Sequence, residues 1–175
     1  METTIPHQSS SGQAGRAVPA IDRGPGAPVP STLIYSFGLA GGALLERAEP
    51  LSIVGGPIPA FQMIMGGGLA ILGLGLFIWS LRTFAAARTG IMPARSASCV
   101  VMSGPYRFSR NPMYVSFTAM YIGLALALDL PWAFVLLPGV LLALFGMVIR
   151  REERYMEGLF GGTYEEYCRQ VPRWL

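Results

Sequence analysis

The chain has 175 residues, 52% of them hydrophobic and only 13% charged, with 22 Gly and 14 Pro. A soluble domain carries about 25% charged residues, so the composition argues against a compact soluble domain and for a small integral membrane protein. The net charge is only +3 and its thirteen basic residues are all Arg, which disfavours nucleic-acid binding.

Residues 1–30 contain Pro6, Pro19, Pro25, Pro28 and Pro30 among Gly, Ser and Ala, with no apolar run. They read as a disordered tail and not as a signal peptide. The remainder, 31–175, reads as one membrane domain. Its first apolar segment, 31–45, is shorter than the roughly 20 residues that cross a bilayer core. With flanking residues it is expected to span over about 31–47. Gly38 and Gly42 form a GxxxG through which another helix could approach closely. Residues 58–81 form the clearest span: they hold no charge and end in Trp79 and Arg82, an interfacial pattern.

The linker 82–111 carries Arg82, Arg88, Arg95, Arg107 and Arg110 and no acid. Two further apolar runs, spans at about 114–128 and 132–149, are joined by Asp129-Leu130-Pro131 and read as a helical hairpin. The last 26 residues hold five Arg and five Glu. The linker's excess of arginine places it in the cytoplasm by the positive-inside rule. The expected fold is therefore all-α: an integral membrane helical bundle of about four spans, with both termini and the C-terminal helices cytosolic.

The residues that could do chemistry fall on that one face. His7, the single histidine, lies in the tail, so no histidine base or histidine-ligated metal is expected in the folded part. Cys99 and Cys168 form no CxxC, no metal is expected, and on the cytosolic side the two thiols stay reduced. Asn111-Pro112 is a helix start, with Asn as cap and Pro at the first position. The N–H groups there could hold a carboxylate, or Asn111 could be a cap alone. The fourth helix exits as Arg150-Arg151-Glu152-Glu153-Arg154. Neighbouring residues on a helix sit about 100° apart, so one Glu is expected to face inward and the other outward. A solvated ion-pair cluster is the plainer alternative. Phe160-Gly161-Gly162 ends that helix. Thr163-Tyr164-Glu165-Glu166 reads as a capping box for a short helix to Gln170, which would fold back as a lid near the linker, with Trp174 at the interface.

The run Val100-Val101…Gly104-Pro105-Tyr106-Arg107…Arg110-Asn111-Pro112…Tyr114 is followed by Glu152-Glu153…Phe160-Gly161…Tyr164…Tyr167…Val171-Pro172-Arg173. In order and separation this resembles the isoprenylcysteine carboxyl methyltransferase / phospholipid methyltransferase superfamily over about residues 98–174. The resemblance implies an integral membrane methyltransferase using S-adenosylmethionine. Its cofactor pocket would include Ser98, Cys99, Val100 and Val101, largely through backbone, with Tyr106, Asn111, Pro112, Met113, Tyr114 and Glu152. Two positions depart from the family pattern. Asn111 stands where His is usual, and Val148 stands where prenylcysteine-type members carry an Arg associated with the substrate carboxylate. Arg150 or Arg151 could substitute as substrate-binding residues. The implied partners are the bilayer and a lipophilic methyl acceptor: a prenylcysteine-type carboxylate, a phospholipid amine or a lipophilic thiol. Catalysis would come from positioning, with no assigned catalytic residue. The alternatives are a membrane reductase of the related sterol/enone type and a non-enzymatic scaffold or transporter.

Overall fold

The computed structural model describes residues 4–6, 29–53, 55–87 and 99–174. Helices dominate: α1 (Ser31–Ala48), α2 (Ala60–Ala86), α3 (Pro112–Ala127), α4 (Pro131–Leu144), α5 (Arg150–Phe160) and α6 (Gly162–Gln170). Proline starts each of the four long apolar ones. Pro30 and Pro59 occupy the cap positions of α1 and α2, and Pro112 and Pro131 begin α3 and α4. Its fixed φ suits a helix entry, and its missing N–H costs nothing there.

Each expected span coincides with a helix. Two helical runs, Ala60–Ala86 and the continuous Pro131–Phe160, are long and apolar enough to cross a membrane. Helices α1 and α3, with 18 and 16 residues, reach only about 27 and 24 Å at 1.5 Å per residue. The outward faces are apolar. Phe37, Phe61, Ile64, Ile71, Leu72 and Leu142 are each between 68% and 72% exposed, large apolar side chains that a bilayer would cover.

Glycine sets the helix pairing. A Cβ on Gly42 would stand 2.8 Å from the Ala133 backbone, so the Gly38/Gly42 motif is used inside the chain, where α1 receives α4. On α2, a Cβ on Gly66 would stand 2.6 Å from the Gly123 carbonyl oxygen, and one on Gly123 would stand 2.6 Å from that of Gly66. With no side chain between them, α2 and α3 touch backbone to backbone. The core between the two pairs comprises Tyr35, Tyr121, Ala125, Ala133, Val140, Leu144, Val148 and Ile149. Tyr121 donates from its hydroxyl to the Ala133 carbonyl at 2.8 Å, pinning α3 to α4.

The α3–α4 hairpin turns at Asp129, which adopts φ 50°, a conformation that Asp tolerates better than most residues. Its carboxylate accepts from Ser52 Oγ (2.8 Å), the Ile53 amide (3.1 Å) and Gln62 Nε2 (3.1 Å). The α1–α2 loop and the α3–α4 turn are thereby tied together at one end of the bundle.

At the other end, α4 passes through a π-helical turn, Phe145–Ile149, directly into α5. The capping box expected at Thr163–Glu166 does not form. Helix α6 begins at Gly162, no side chain caps it, and Gly161 makes the reversal at φ 50°. The amides of Tyr164 and Glu165 bond to the Gly161 carbonyl, which sets Thr163 inside the helix. Glu166 instead accepts from Gln170 Nε2 at 2.8 Å.

The one ladder among the described residues pairs β1 (Thr4–Pro6) antiparallel with β2 (Cys99–Val101), in the register Ile5↔Val100. Three residues of the segment expected to be disordered therefore form a strand. The rest of that expectation, residues 1–3 and 7–28, and Ser98 lie outside the described residues.

Candidate active site

Helix α3 begins at Pro112 with Asn111 before it, and the Asn111 carbonyl accepts from the amides of Tyr114 (3.0 Å) and Val115 (3.1 Å). The Asn111 side chain does not cap the helix. Its Nδ2 donates to the carbonyl of Arg173 at 3.2 Å. Reversing that amide would set two oxygens against each other, so Nδ2 is held by the C-terminal segment and Oδ1 remains as an acceptor. Ser109 Oγ donates to the same carbonyl (3.2 Å), and the Arg110 amide donates to the Pro172 carbonyl at 2.9 Å. The chain end thus lies as a short staple along Ser109–Asn111.

One turn into α3, Tyr114 donates from its hydroxyl to Glu152 Oε2 at 2.7 Å. Two segments separated by 38 positions meet here, with the hairpin between them. Glu152 Oε1 accepts no hydrogen bond among the described residues. The neighbouring carboxylate is also engaged. Glu153 accepts from Arg173 Nε and Nη2, both at 2.8 Å, and from Arg110 Nη1 at 3.4 Å. Its side chain is 12% exposed. This corrects the expectation that one of the two glutamates faces outward: the 100° between them turns Glu152 to α3 and Glu153 to the arginines flanking Asn111.

The floor is aromatic and apolar. Val101 and Tyr106 are buried together with Phe84 and Met113 around them, and the Tyr106 ring meets that of Phe84 edge-on at 4.8 Å. Val100 packs with Tyr164, Tyr167 and Val171. Tyr167 donates from its hydroxyl to the Tyr106 carbonyl at 2.7 Å, so α6 does fold back onto the linker. Burial, and then the charges of Tyr167 and Glu152, push the Tyr106 hydroxyl well above the ordinary phenol range. Burial likewise raises Tyr164 and Tyr167. These phenols stay protonated at neutral pH. The Arg173 guanidinium is held protonated more firmly than usual, first by its hydrogen bond to Glu153.

Of the residues singled out from sequence, Tyr114 and Glu152 are brought into contact, Asn111 is bonded to Arg173, Val101, Tyr106 and Met113 pack in one cluster, Val100 packs against α6 in another, and Pro112 is buried at the start of α3. Cys99 is placed by its backbone in β2. Arg150 and Arg151 are exposed. Arg150 lies 5.2 Å over the Phe145 ring and makes no bond to Tyr114 or Glu152. Val148 is 2% exposed in the apolar core, and one turn before it the Phe145 ring carries the Arg173 guanidinium at 5.1 Å as well as that of Arg150. Glu153 and Arg173 stand in the sequence run that carries the resemblance but had no role assigned, and sequence reasoning missed Ser109. Glu153 meets Arg173 across 20 positions and Ser109 reaches the Arg173 carbonyl across 64, while the bond from the Asn111 amide to Ser109 Oγ at 3.1 Å is a local turn. Among the described residues no group of His, Cys, Asp or Glu is arranged to hold a metal.

Residues 61–163, more than half of the chain, match the family model of phospholipid methyltransferases, and the chain belongs to that family. The matched stretch runs from α2 into α6 and contains both sides of the Tyr114–Glu152 contact. The chain is also similar to a protein-S-isoprenylcysteine O-methyltransferase of Schizosaccharomyces pombe, at 34% identity over 73 residues. That match covers 42% of this chain and 31% of the relative, so the chain spans about a third of the curated protein that it matches. No solved structure matches.

Proposed function

We propose that the protein is an integral membrane methyltransferase that uses S-adenosylmethionine and methylates a lipophilic acceptor. Four spans would place both termini and the cofactor site in the cytoplasm. The observation that carries the reading is the Tyr114–Glu152 contact beside Asn111. Glu152 Oε1 and Asn111 Oδ1 are acceptors with no protein donor among the described residues. They suit a ligand that presents donors, as this cofactor does through its ammonium, ribose hydroxyls and adenine amino group.

Bound there, S-adenosylmethionine supplies an electrophilic methyl group on a sulfonium whose departure needs no general acid. The chain's own work is then to hold and orient. Glu152 would take a donor group of the cofactor, kept in place by Tyr114. Asn111 would take another. The β2 backbone at Cys99–Val101 and the side chains of Tyr106, Pro112 and Met113 would form the enclosing wall. Orientation of this kind can contribute about 7–11 kcal/mol toward the barrier, and exclusion of water by the buried tyrosines adds to it. The acceptor's apolar part would enter between helices from the lipid. With Val148 in the core, an anionic group on the acceptor would have to meet Arg150 or Arg151.

The test is incubation of the purified protein in nanodiscs with methyl-labelled S-adenosylmethionine and a panel of acceptors: a prenylcysteine, a phosphatidylethanolamine and a lipophilic thiol. Mass spectrometry should find label on one of them. Calorimetry should show cofactor affinity at least about tenfold weaker in Glu152→Ala, as expected when a charge-assisted hydrogen bond is lost. Undiminished binding would remove Glu152 from the site. A wild-type protein that neither binds the cofactor nor labels any acceptor would overturn the assignment.

A further inference from the structure

The Arg110–Glu153–Arg173 cluster has no part in the chemistry proposed above, yet its carboxylate accepts three hydrogen bonds, and Arg110 Nη1 also donates to Cys168 Sγ at 2.9 Å. Glu153 grips Arg173 through two parallel bonds of 2.8 Å and Arg110 through a third of 3.4 Å. Each arginine is tied to the Asn111 corner by its own backbone. Arg110 is the preceding residue, and its amide donates to the Pro172 carbonyl. Arg173 provides the carbonyl that accepts from both Asn111 Nδ2 and Ser109 Oγ. Glu153 also sits next to Glu152 on α5, so the same carboxylate sets how closely α5 approaches Tyr114.

The cluster is a poor device for stability alone. Arg110 and Glu153 are nearly buried, at 15% and 12% exposure, and burying charges costs solvation that the pairing scarcely repays. A bidentate guanidinium–carboxylate pair does offer fixed geometry. The geometry fixed here is the orientation of the Asn111 amide.

We infer that Glu153 is a positioning residue: by clamping Arg173 and Arg110 it holds the Arg173 carbonyl on Asn111 Nδ2, so that Asn111 Oδ1 is presented to the cofactor. The inference rests on the function proposed above and assigns a role to the chain's C-terminal segment, a staple that completes the cofactor corner. Without the clamp the Arg173 carbonyl leaves, and the Asn111 amide is free to rotate.

Two measurements test it. The first needs no ligand. In Glu153→Gln the amide of Arg110, now bonded to Pro172, should exchange with deuterium at least about tenfold faster, because the staple opens locally. The second is S-adenosylmethionine affinity by calorimetry in a double-mutant cycle. Glu153→Gln should weaken binding roughly tenfold, within the coupling range of contacting residues. In an Asn111→Ala background the same change should cost less than about twofold, since the residue through which it acts is gone. Arg173→Ala removes the clamp but keeps the carbonyl, at a side chain 37% exposed. It should reproduce the loss without adding to that of Glu153→Gln, and it carries the test if Glu153→Gln does not fold. Unchanged exchange, wild-type affinity in the clamp variants, or equal losses in both backgrounds overturns the inference while the enzymatic reading stands. Failure of the wild type to bind the cofactor removes that reading and this one with it.

Discussion

Tyr114 and Glu152 are legible in the sequence for different reasons. Asn-Pro marks a helix start by local rules of capping and φ, and a tyrosine three residues past it lies on the first turn whatever the tertiary fold. Glu152 is legible as a charge at the edge of an apolar run, where an ion needs a partner. Their partnership is not legible from either stretch alone. The hydroxyl of Tyr114 reaches Glu152 Oε2 at 2.7 Å only because the hairpin returns α5 to the start of α3. Tyr114→Phe keeps the ring and removes the single donor, leaving one carboxylate oxygen half-buried without a partner. The cost should be about 1.5–3 kcal/mol, the range for hydrogen bonds to charged groups. Expected readouts are cofactor affinity weakened by about tenfold or more and an unfolding midpoint lowered by a few degrees. Unchanged affinity would place the hydroxyl outside the cofactor's reach.

At the level of elements, apolar run length located all four long helices, and helix-entry chemistry was read among them only at Asn111-Pro112, since both signals act within a segment. The π-turn at Phe145–Ile149 has no local signal, because an inserted residue in a helix is decided by what the following turn must face. The capping box failed for a related reason. Thr163 and Glu166 have the right spacing, but Gly161 takes the reversal at positive φ two residues earlier, and a backbone turn outcompetes a side-chain cap. Helix pairing was half legible. Gly38/Gly42 announced a close approach, and α4 supplies it, whereas Gly66, first of three consecutive glycines, and the isolated Gly123 meet only in the fold. Gly123→Val would drive a branched side chain into the Gly66 carbonyl and the Ala70 backbone, 2.6 and 2.5 Å from its Cβ. Backbone cannot step aside as a side chain does, so the loss should reach the upper end of overpacking costs, about 3 kcal/mol or more. Thermal unfolding in detergent should show a strongly lowered midpoint. The same substitution at Gly139, where nothing lies within 4 Å, should shift it little.

Among the described residues, two groups of hydrogen bonds tie the connections between helices. Asp129 binds the α1–α2 loop to the α3–α4 turn. Pro172 and Arg173 bind the chain end to the corner before α3. The two groups sit at opposite ends of α3, whose 16 residues separate them by about 24 Å. A bilayer lying between them would put Asp129 and the first loop on one side, and the linker and C-terminus on the other. On the proposed reading, the positive-inside rule would place the second group, with the linker's arginines, in the cytoplasm. Single cysteines test this in a background with Cys99 and Cys168 changed to Ser. Pro50 and Glu165 are both exposed, one in the first loop and one on α6. A membrane-impermeant maleimide applied to intact cells should label Pro50→Cys and spare Glu165→Cys until the membrane is permeabilised. Labelling of Glu165→Cys in intact cells would reverse the orientation and move the proposed cofactor corner away from the cytosolic supply. Equal labelling of both would mean that the two groups of connections share one side, and that α3 crosses nothing.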